Sequence, residues 1–399
     1  MSISLRAFIY KIQFFTLLAS AAILSFQYEL FMIDRQVALP LALTVFSISQ
    51  ISVMVTNLTI RRFSDKVRDP NRILQVALTL RTVTMLAIFF TQHPFVFIGL
   101  FLLYQVAAAA NIVFESMSAQ WAFSKNIGFS SLRIYGSLGF AIAGFMVTFI
   151  YGFTGSLNAI LLFLFALNLI NAIFAFTTPV VIDKSKADEE ANGSISRQFR
   201  LLIFLGAFTV ALSNAFGVIL NNHYRYAFGL SVGDAIQFVS IAVLLGSFVS
   251  EIVGFKTVDP LVNKFSAKNI VFTGILLSLA RWSLSFFSPN AFIFTLTYLF
   301  HGFTFAYIYL GILAFGKARY GNAATNKVVM DFIIFSNITT LALVQLTNLI
   351  LAFTTTGNVL LMLVGVNLLT ALSYYFSSSK TSKDDTTPDS PESLPKTQP

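Results

Sequence analysis

Long apolar runs separated by short polar breaks make up almost the whole chain. The residue-by-residue alternation that marks the strands of a membrane barrel is absent. Runs of roughly 20 apolar residues instead predict helices long enough to cross the hydrocarbon layer of a bilayer. Twelve are predicted: Ile9–Leu30, Val37–Thr59, Ile73–Phe90, Phe95–Phe114, Ile134–Phe153, Leu157–Phe176, Leu201–Leu220, Ala235–Phe255, Ile270–Phe287, Ala291–Phe315, Val328–Phe353 and Val359–Tyr375. The fold class expected is an all-α integral membrane protein. Ala19-Ser20-Ala21 in the first run could pass for a signal-peptidase site, but the apolar run continues through Ile23 and Leu24, so it reads as the first span.

Composition agrees with that pattern. The chain has 399 residues, of which 56% are hydrophobic and 11% charged, whereas an ordinary soluble domain carries about 25% charged residues. With Lys11, at the start of the first span, counted with the N-terminus, every lysine and arginine except Arg35, Arg81, Arg225 and Arg281 falls in the loops and termini of one side of the predicted bundle. By the positive-inside rule that side, with both termini, is cytoplasmic. The net charge of +9 therefore reads as a signature of topology in a cell membrane. Nucleic-acid binding is not expected, because no basic soluble face exists to carry it. The absence of cysteine excludes disulfides, thiolate metal sites and cysteine nucleophiles. No cofactor and no metal are expected.

The longest internal polar break, Asp183–Arg200, falls near the midpoint and divides six predicted spans from six. The division predicts an N-terminal six-helix half over 1–180, a central cytoplasmic loop over 181–200 and a C-terminal half over 201–376. A polar, proline-bearing tail over 377–399 is expected to be disordered. The halves echo each other: a basic loop, Arg61–Arg72 or Asp259–Asn269, precedes a span that contains an arginine, Arg81 or Arg281. Repeats of this kind are common in transporters that rock one half against the other around a site near the midplane.

Ionisable residues inside spans are rare and tend to mark pathways or structural ion pairs. Glu115 ends the fourth predicted span and Arg133 precedes the fifth. Eighteen residues apart, they are too distant to share a helix face and can meet only across the hairpin of consecutive spans. An interfacial ion pair and a substrate contact both fit that arrangement. Arg281 and His301 fall at similar depth in the ninth and tenth spans, close enough to interact directly or through water. Glu251 lies near the cytoplasmic end of the eighth span, about two turns from the depth of Arg281 by helix counting.

Twelve spans, a central loop and a degenerate G-x-x-x-D-R/K motif at Arg61–Lys66 resemble the major facilitator superfamily, with Arg61 in place of the glycine and Asp65-Lys66 kept. Within it the chain is similar, from Phe8 to Tyr375, to the proton-symporter group of lactose permease, nucleoside symporters and phenylpropionate permease-like proteins. That resemblance implies that Glu115 accepts and Arg133 donates hydrogen bonds to substrate. It places Phe140 where the lactose permease stacks a tryptophan on the sugar. Arg281 and His301 keep that permease's arginine–histidine spacing, but Thr304 stands where it carries its proton-bearing glutamate, and Asn337 replaces a lysine. Glu251 is the expected replacement, which groups Glu251, Arg281 and His301 as proton-coupling residues. Asp65, Lys66 and Arg81 are assigned to cytoplasmic gating.

The function expected is secondary transport of a small polar organic solute, of the sugar, nucleoside or aromatic acid class, by alternating access with proton symport. Proton-coupled efflux, or a non-transporting membrane sensor or scaffold, is the alternative. The expected partners are the solute, protons and the lipid bilayer, with the protein a monomer. No stretch completes the nucleotide-binding pattern G-x-x-x-x-G-K-S/T, and three scattered histidines without H-E-x-x-H argue against a membrane metalloenzyme.

Overall fold

In lipid every backbone polar group must be satisfied within its own segment, and the apolar runs answer that demand as helices. The computed structural model describes residues 2–37, 39–64, 69–180, 195–321 and 324–384. The central part of the expected loop, 181–194, and the tail beyond 384 lie outside the described residues. The first helices are α1 (Ile3–Asp34), α2 (Leu39–Ser64), α3 (Pro70–Phe90), α4 (Pro94–Ala108), α5 (Asn111–Ser124), α6 (Ser130–Thr154) and α7 (Leu157–Thr177). After the central loop come α8 (Arg197–Gly217), α9 (Leu220–Ala227), α10 (Val232–Val243), a π-helical turn (Leu244–Ser250), α11 (Glu251–Lys264) and α12 (Ala267–Phe286). The chain closes with α13 (Ala291–Leu296), α14 (Leu299–Tyr320), α15 (Ala324–Phe353) and α16 (Thr356–Asp384).

Local chemistry sets many of the ends. Asp69 caps α3 by accepting from the Asn71 amide, with Pro70 opening the helix. Ser196 and Ser266 cap α8 and α12 in the same way, each accepting from the amide three residues on. Such caps satisfy amides that the first turn leaves without partners. Gly155, at φ 60°, supplies the left-handed turn that ends α6.

Among the described residues eleven helices are long and apolar enough to cross a membrane. The second expected span contributes a shorter apolar stretch, Thr44–Ile60 within α2. Gln50 and Asn57, which interrupt its apolar character, face an internal cavity rather than lipid. On the outer surface Phe153, Phe287 and Phe353 are 76%, 76% and 81% exposed, which is the arrangement lipid favours and water does not.

Three spans are broken inside their length. Pro94–Ser124 is interrupted between α4 and α5, Gln237–Lys264 by the π turn, and Ala291–Tyr320 between α13 and α14. Each break sits beside a residue singled out from the sequence: Glu115, then Glu251, then His301. Discontinuous helices and π turns recur at functional sites because they release backbone groups and redirect side chains.

Two hydrophobic cores are built separately, one from helices before residue 180 and one from helices after residue 195. A third draws on both sets, with Trp121 and Phe129 packed in one cluster with Phe199, Leu313 and Met330. It lies at the end where α5 and α14 finish and α6 and α8 begin. Lys317 reaches across that end to place its ammonium 4.6 Å from the centre of the Phe123 ring. The two sets also meet where α2 and α5 pack on α15 and where α6 packs on α10, the π turn and α11. Within the first set, glycine permits close packing. At Gly139 a Cβ would run into the Phe15 carbonyl, so α1 and α6 pack backbone to backbone.

Candidate functional site

Between the two sets of helices lies a cavity of about 540 Å³. Its wall includes Tyr28, Arg81, Gln105, Asn111, Glu115 and Phe140 from the first set, and Ser213, Asn214, Arg281, Tyr298, His301 and Asn337 from the second. Phe140 is half-buried and packs against both outer cores, so an apolar ring faces the polar groups across the space. A second cavity of about 390 Å³, between α6 and α11, is lined by Ser130, Tyr135, Phe255 and Lys256 and contains none of the sequence-predicted residues.

At one end of the central cavity four helices converge on a single charge network. Arg133 Nε donates to Glu115 Oε1 at 2.9 Å, and the Tyr309 hydroxyl donates to the same oxygen at 3.0 Å. Ser137, one turn beyond Arg133 on α6, donates to Glu251 Oε1 at 2.6 Å. Arg133 Nη1 stands 4.0 Å from that Glu251 oxygen and makes no hydrogen bond. The guanidinium also lies over Phe305 and Phe255, at 5.3 and 5.8 Å from the ring centres. Phe305 stacks in turn on Tyr309, at 5.5 Å and 10°. Arg133 is thus shared by two carboxylates, one from each set of helices. With both ionised the three groups carry a net charge of minus one, which a single proton cancels. A buried charge left over in this way is unfavourable.

Glu115 and Arg133 therefore meet across the hairpin. Glu115 lies within a span that runs on to Ser124, and Arg133 lies in the first turn of α6, which begins at Ser130. Glu251, grouped from the sequence with Arg281 and His301, is instead brought to Arg133 and Ser137. The reason is the π turn before Glu251 and the close seat of Gly302 against it: the Gly302 amide donates to Ser250 Oγ at 3.2 Å. A side chain at Gly302 would collide with the Glu251 amide.

Arg281 and His301 form a separate group. Arg281 Nη1 donates to Ser213 Oγ at 2.6 Å and lies 3.1 Å from His301 Nδ1. Because an arginine can only donate, that Nδ1 is the acceptor and the ring proton sits on Nε2. Trp282 and Tyr298 sandwich the guanidinium, each with its ring centre 4.3 Å away. Thr304 donates to the Phe300 carbonyl.

Arg81, expected in a gate with Asp65 and Lys66, instead reaches the cavity wall. Its Nη1 donates to Asn111 Oδ1 at 2.8 Å and its Nη2 to the Tyr104 hydroxyl at 2.7 Å. Tyr104 is held by Asn168. Asp65 and Lys66 lie outside the described residues. Asp331, fully buried, pairs with Arg200 at 3.7 Å. Outside the spans His223 is buried on α9 beside Thr356, its Nδ1 2.8 Å from Oγ1. Burial lowers its pKa to about 4. Among the described residues no group of three metal-ligating side chains occurs.

Ser137, Tyr309, Tyr104, Ser213 and Tyr298 were not singled out from the sequence. Ser137 carries a signal in its i, i+4 relation to Arg133 on one helix face. The tyrosines carry none, since their partners are remote in the chain.

Residues 7–336 match the family described as MFS_1 like family. The chain is 25% identical over 190 residues to the uncharacterized transporter YwbF of Bacillus subtilis (strain 168), covering 47% of this chain and 46% of that protein. It is 28% identical over 230 residues to the maltose permease of Geobacillus stearothermophilus, covering 55% of each. The chain thus spans about half the length of the curated relatives it matches. Among solved structures, the nucleoside transporter NupG superposes with a TM-score of 0.63 at 18% identity, over 95% of this chain and 99% of that one. The fucose:proton symporter FucP of E. coli superposes with a TM-score of 0.64 at 13% identity, over 94% and 99%. At those identities the two structures speak for the fold alone.

Proposed function

This chain belongs to the MFS_1 like family of the major facilitator superfamily, and from that premise we propose that it is a secondary transporter moving a small polar organic solute by alternating access. The observation that carries the reading is the Arg133 network. It ties α5 and α6 to α11 and α14 across the end of a central cavity, so the solute site and the contact between the two sets of helices share one residue. Alternating access requires such a contact to form and break as the halves rock. With both termini taken as cytoplasmic, the end that holds the mixed core is the cytoplasmic one.

In this reading Glu115 accepts and Arg133 donates hydrogen bonds to the solute, and Phe140 covers its apolar face. Solute engaging Glu115 competes with Tyr309 and Arg133 for the same oxygen. Glu251 is the coupling carboxyl. Protonation removes its charge attraction for Arg133 and leaves the network electrically balanced. Arg281 and His301 line the far wall, and Asp65 with Lys66 form part of the cytoplasmic gate. The direction proposed is import with protons, across the cell membrane, by a monomer. Maltose permease and NupG carry a sugar and a nucleoside by their names, which places polar organic solutes first in the test.

Proteoliposome uptake of sugars, nucleosides and aromatic acids, measured with and without an imposed pH gradient, tests both parts. Accumulation that follows the gradient and fails in Arg133→Ala supports the reading. Absence of uptake or exchange of every solute removes it.

A further inference from the structure

The cavity wall is not electrically balanced, and the imbalance bears on which solute it takes. Its ionisable groups, phenols aside, are Arg81, Glu115, Arg281 and His301. Glu115 already accepts from Arg133, and His301 accepts from Arg281 and is therefore neutral. That leaves Arg81 and Arg281, both almost wholly buried. Each is held by neutral partners only: Asn111 and Tyr104 on Arg81, Ser213, His301, Trp282 and Tyr298 on Arg281. Among the described residues no carboxylate stands within 4.0 Å of either. In both, Nε is buried without a hydrogen-bond partner. The two arginines occupy matching positions in the repeat, each in the span that follows a basic loop, so the bundle brings one from each set of helices to the same space.

A guanidinium cannot shed its charge, and a buried charge without a counter-ion is unfavourable. A neutral sugar or nucleoside would leave both charges as they are. An acidic group would answer one of them, with the planar, forked donor geometry that suits arginine to carboxylate and phosphate. The remainder of the wall is apolar or neutral, with Ile112, Phe140, Val239 and Val243 facing Asn214 and Asn337.

We propose that the transported solute is an organic anion, with its acidic group drawn to one of the two buried arginines of the cavity wall, Arg81 or Arg281, and its less polar body against Phe140. This rests on the reading of the cavity as the transport site. The chemistry shared by carboxylates and phosphate monoesters defines the class.

The test is direct binding to the full-length protein in detergent, read by the fluorescence of Trp282, whose ring lies against Arg281, with Trp121→Phe as the background. Aliphatic and aromatic carboxylates and sugar phosphates are compared with their amides and unphosphorylated sugars. The expected result is an acid or phosphate ester that binds at least tenfold more tightly than its neutral counterpart, with at least a tenfold loss in Arg281→Gln and a smaller one in Arg81→Gln. Binding confined to carboxylates or to phosphate esters both support the class. The proposal falls if a neutral solute binds and is transported with equal affinity in wild type and both variants, while the transport reading survives. It falls together with that reading if nothing in the panel binds or is carried. The acid-against-amide comparison needs only the wild-type protein, so a variant that fails to fold does not remove the test.

Discussion

Ser137 Oγ donates to Glu251 Oε1 at 2.6 Å, fastening α6 to α11 through a carboxylate that also stands 4.0 Å from Arg133. Two carboxylates and one guanidinium in a largely buried setting make protonation of one carboxyl the simplest route to neutrality. Glu251→Gln mimics the protonated state and keeps its shape. Solute exchange down a gradient should persist in this variant while accumulation driven by an imposed pH gradient is lost. Counterflow and gradient-driven uptake in proteoliposomes separate the two; unaltered accumulation would move the coupling role to another residue.

Tyr309 and Arg133 both donate to Glu115 Oε1. Tyr309→Phe removes one donor to a charged acceptor, worth about 1.5–3 kcal/mol. Affinity for the solute should change by about ten- to a hundredfold. Arg133→Ala and Glu115→Ala should each abolish binding in protein that still elutes as a folded species. Retained uptake in both would take these residues out of the site.

The seat of the π turn on α14 depends on Gly302, where a side chain would meet the Glu251 amide, the Gly246 carbonyl and Ser250 Oγ. Those obstacles are mostly backbone and cannot swing aside. Gly302→Ala is expected to lower the melting temperature and to impair transport. Gly99→Ala, within α4 and with no atom near the added methyl, should not lower the melting temperature and should leave transport unchanged. Equal thermal melts for the two variants would show that the contact is not needed.

His223 provides a pH dependence outside the spans. Its pKa falls to about 4 in the folded protein because burial disfavours the imidazolium, against about 6.5 in the unfolded chain. Above pH about 6.5 the ring is neutral in both states and the stability is intact. As pH falls towards about 4 the unfolded chain takes up the proton first, and up to about 3 kcal/mol is lost. Melting temperature should therefore drop between pH 7 and 4 by less in His223→Gln than in wild type. Parallel curves for the two proteins would assign the acid sensitivity elsewhere.

The spans were legible because lipid imposes a local rule: a segment of sufficient length either is apolar or does not cross. Glu115, Arg133, Arg281 and His301 stood out for the same reason, as ionisable groups in or beside apolar runs, and their pairwise approach followed from spacing across hairpins. The rule misplaced the ends of two spans, because it stops at the first charged residue. A helix that buries Glu115 or Arg133 against other helices continues through it. Arg81 is placed inside a span by the sequence and given a gating role by resemblance, while its side chain reaches the cavity.

Which groups meet was decided by tertiary structure. The partnership of Glu251 with Arg133 and Ser137, the reach of Tyr309 to Glu115 over 194 residues of chain, and the joint placing of Arg81 and Arg281 in one cavity depend on how two sets of helices pack. Hydropathy is a property of each segment taken alone and determines that this chain is an all-helical membrane protein. Rotation, breaks and register between segments are set by contacts such as Gly139 on Phe15 and Gly302 on the π turn, which belong to pairs of helices and have no counterpart in either sequence segment by itself.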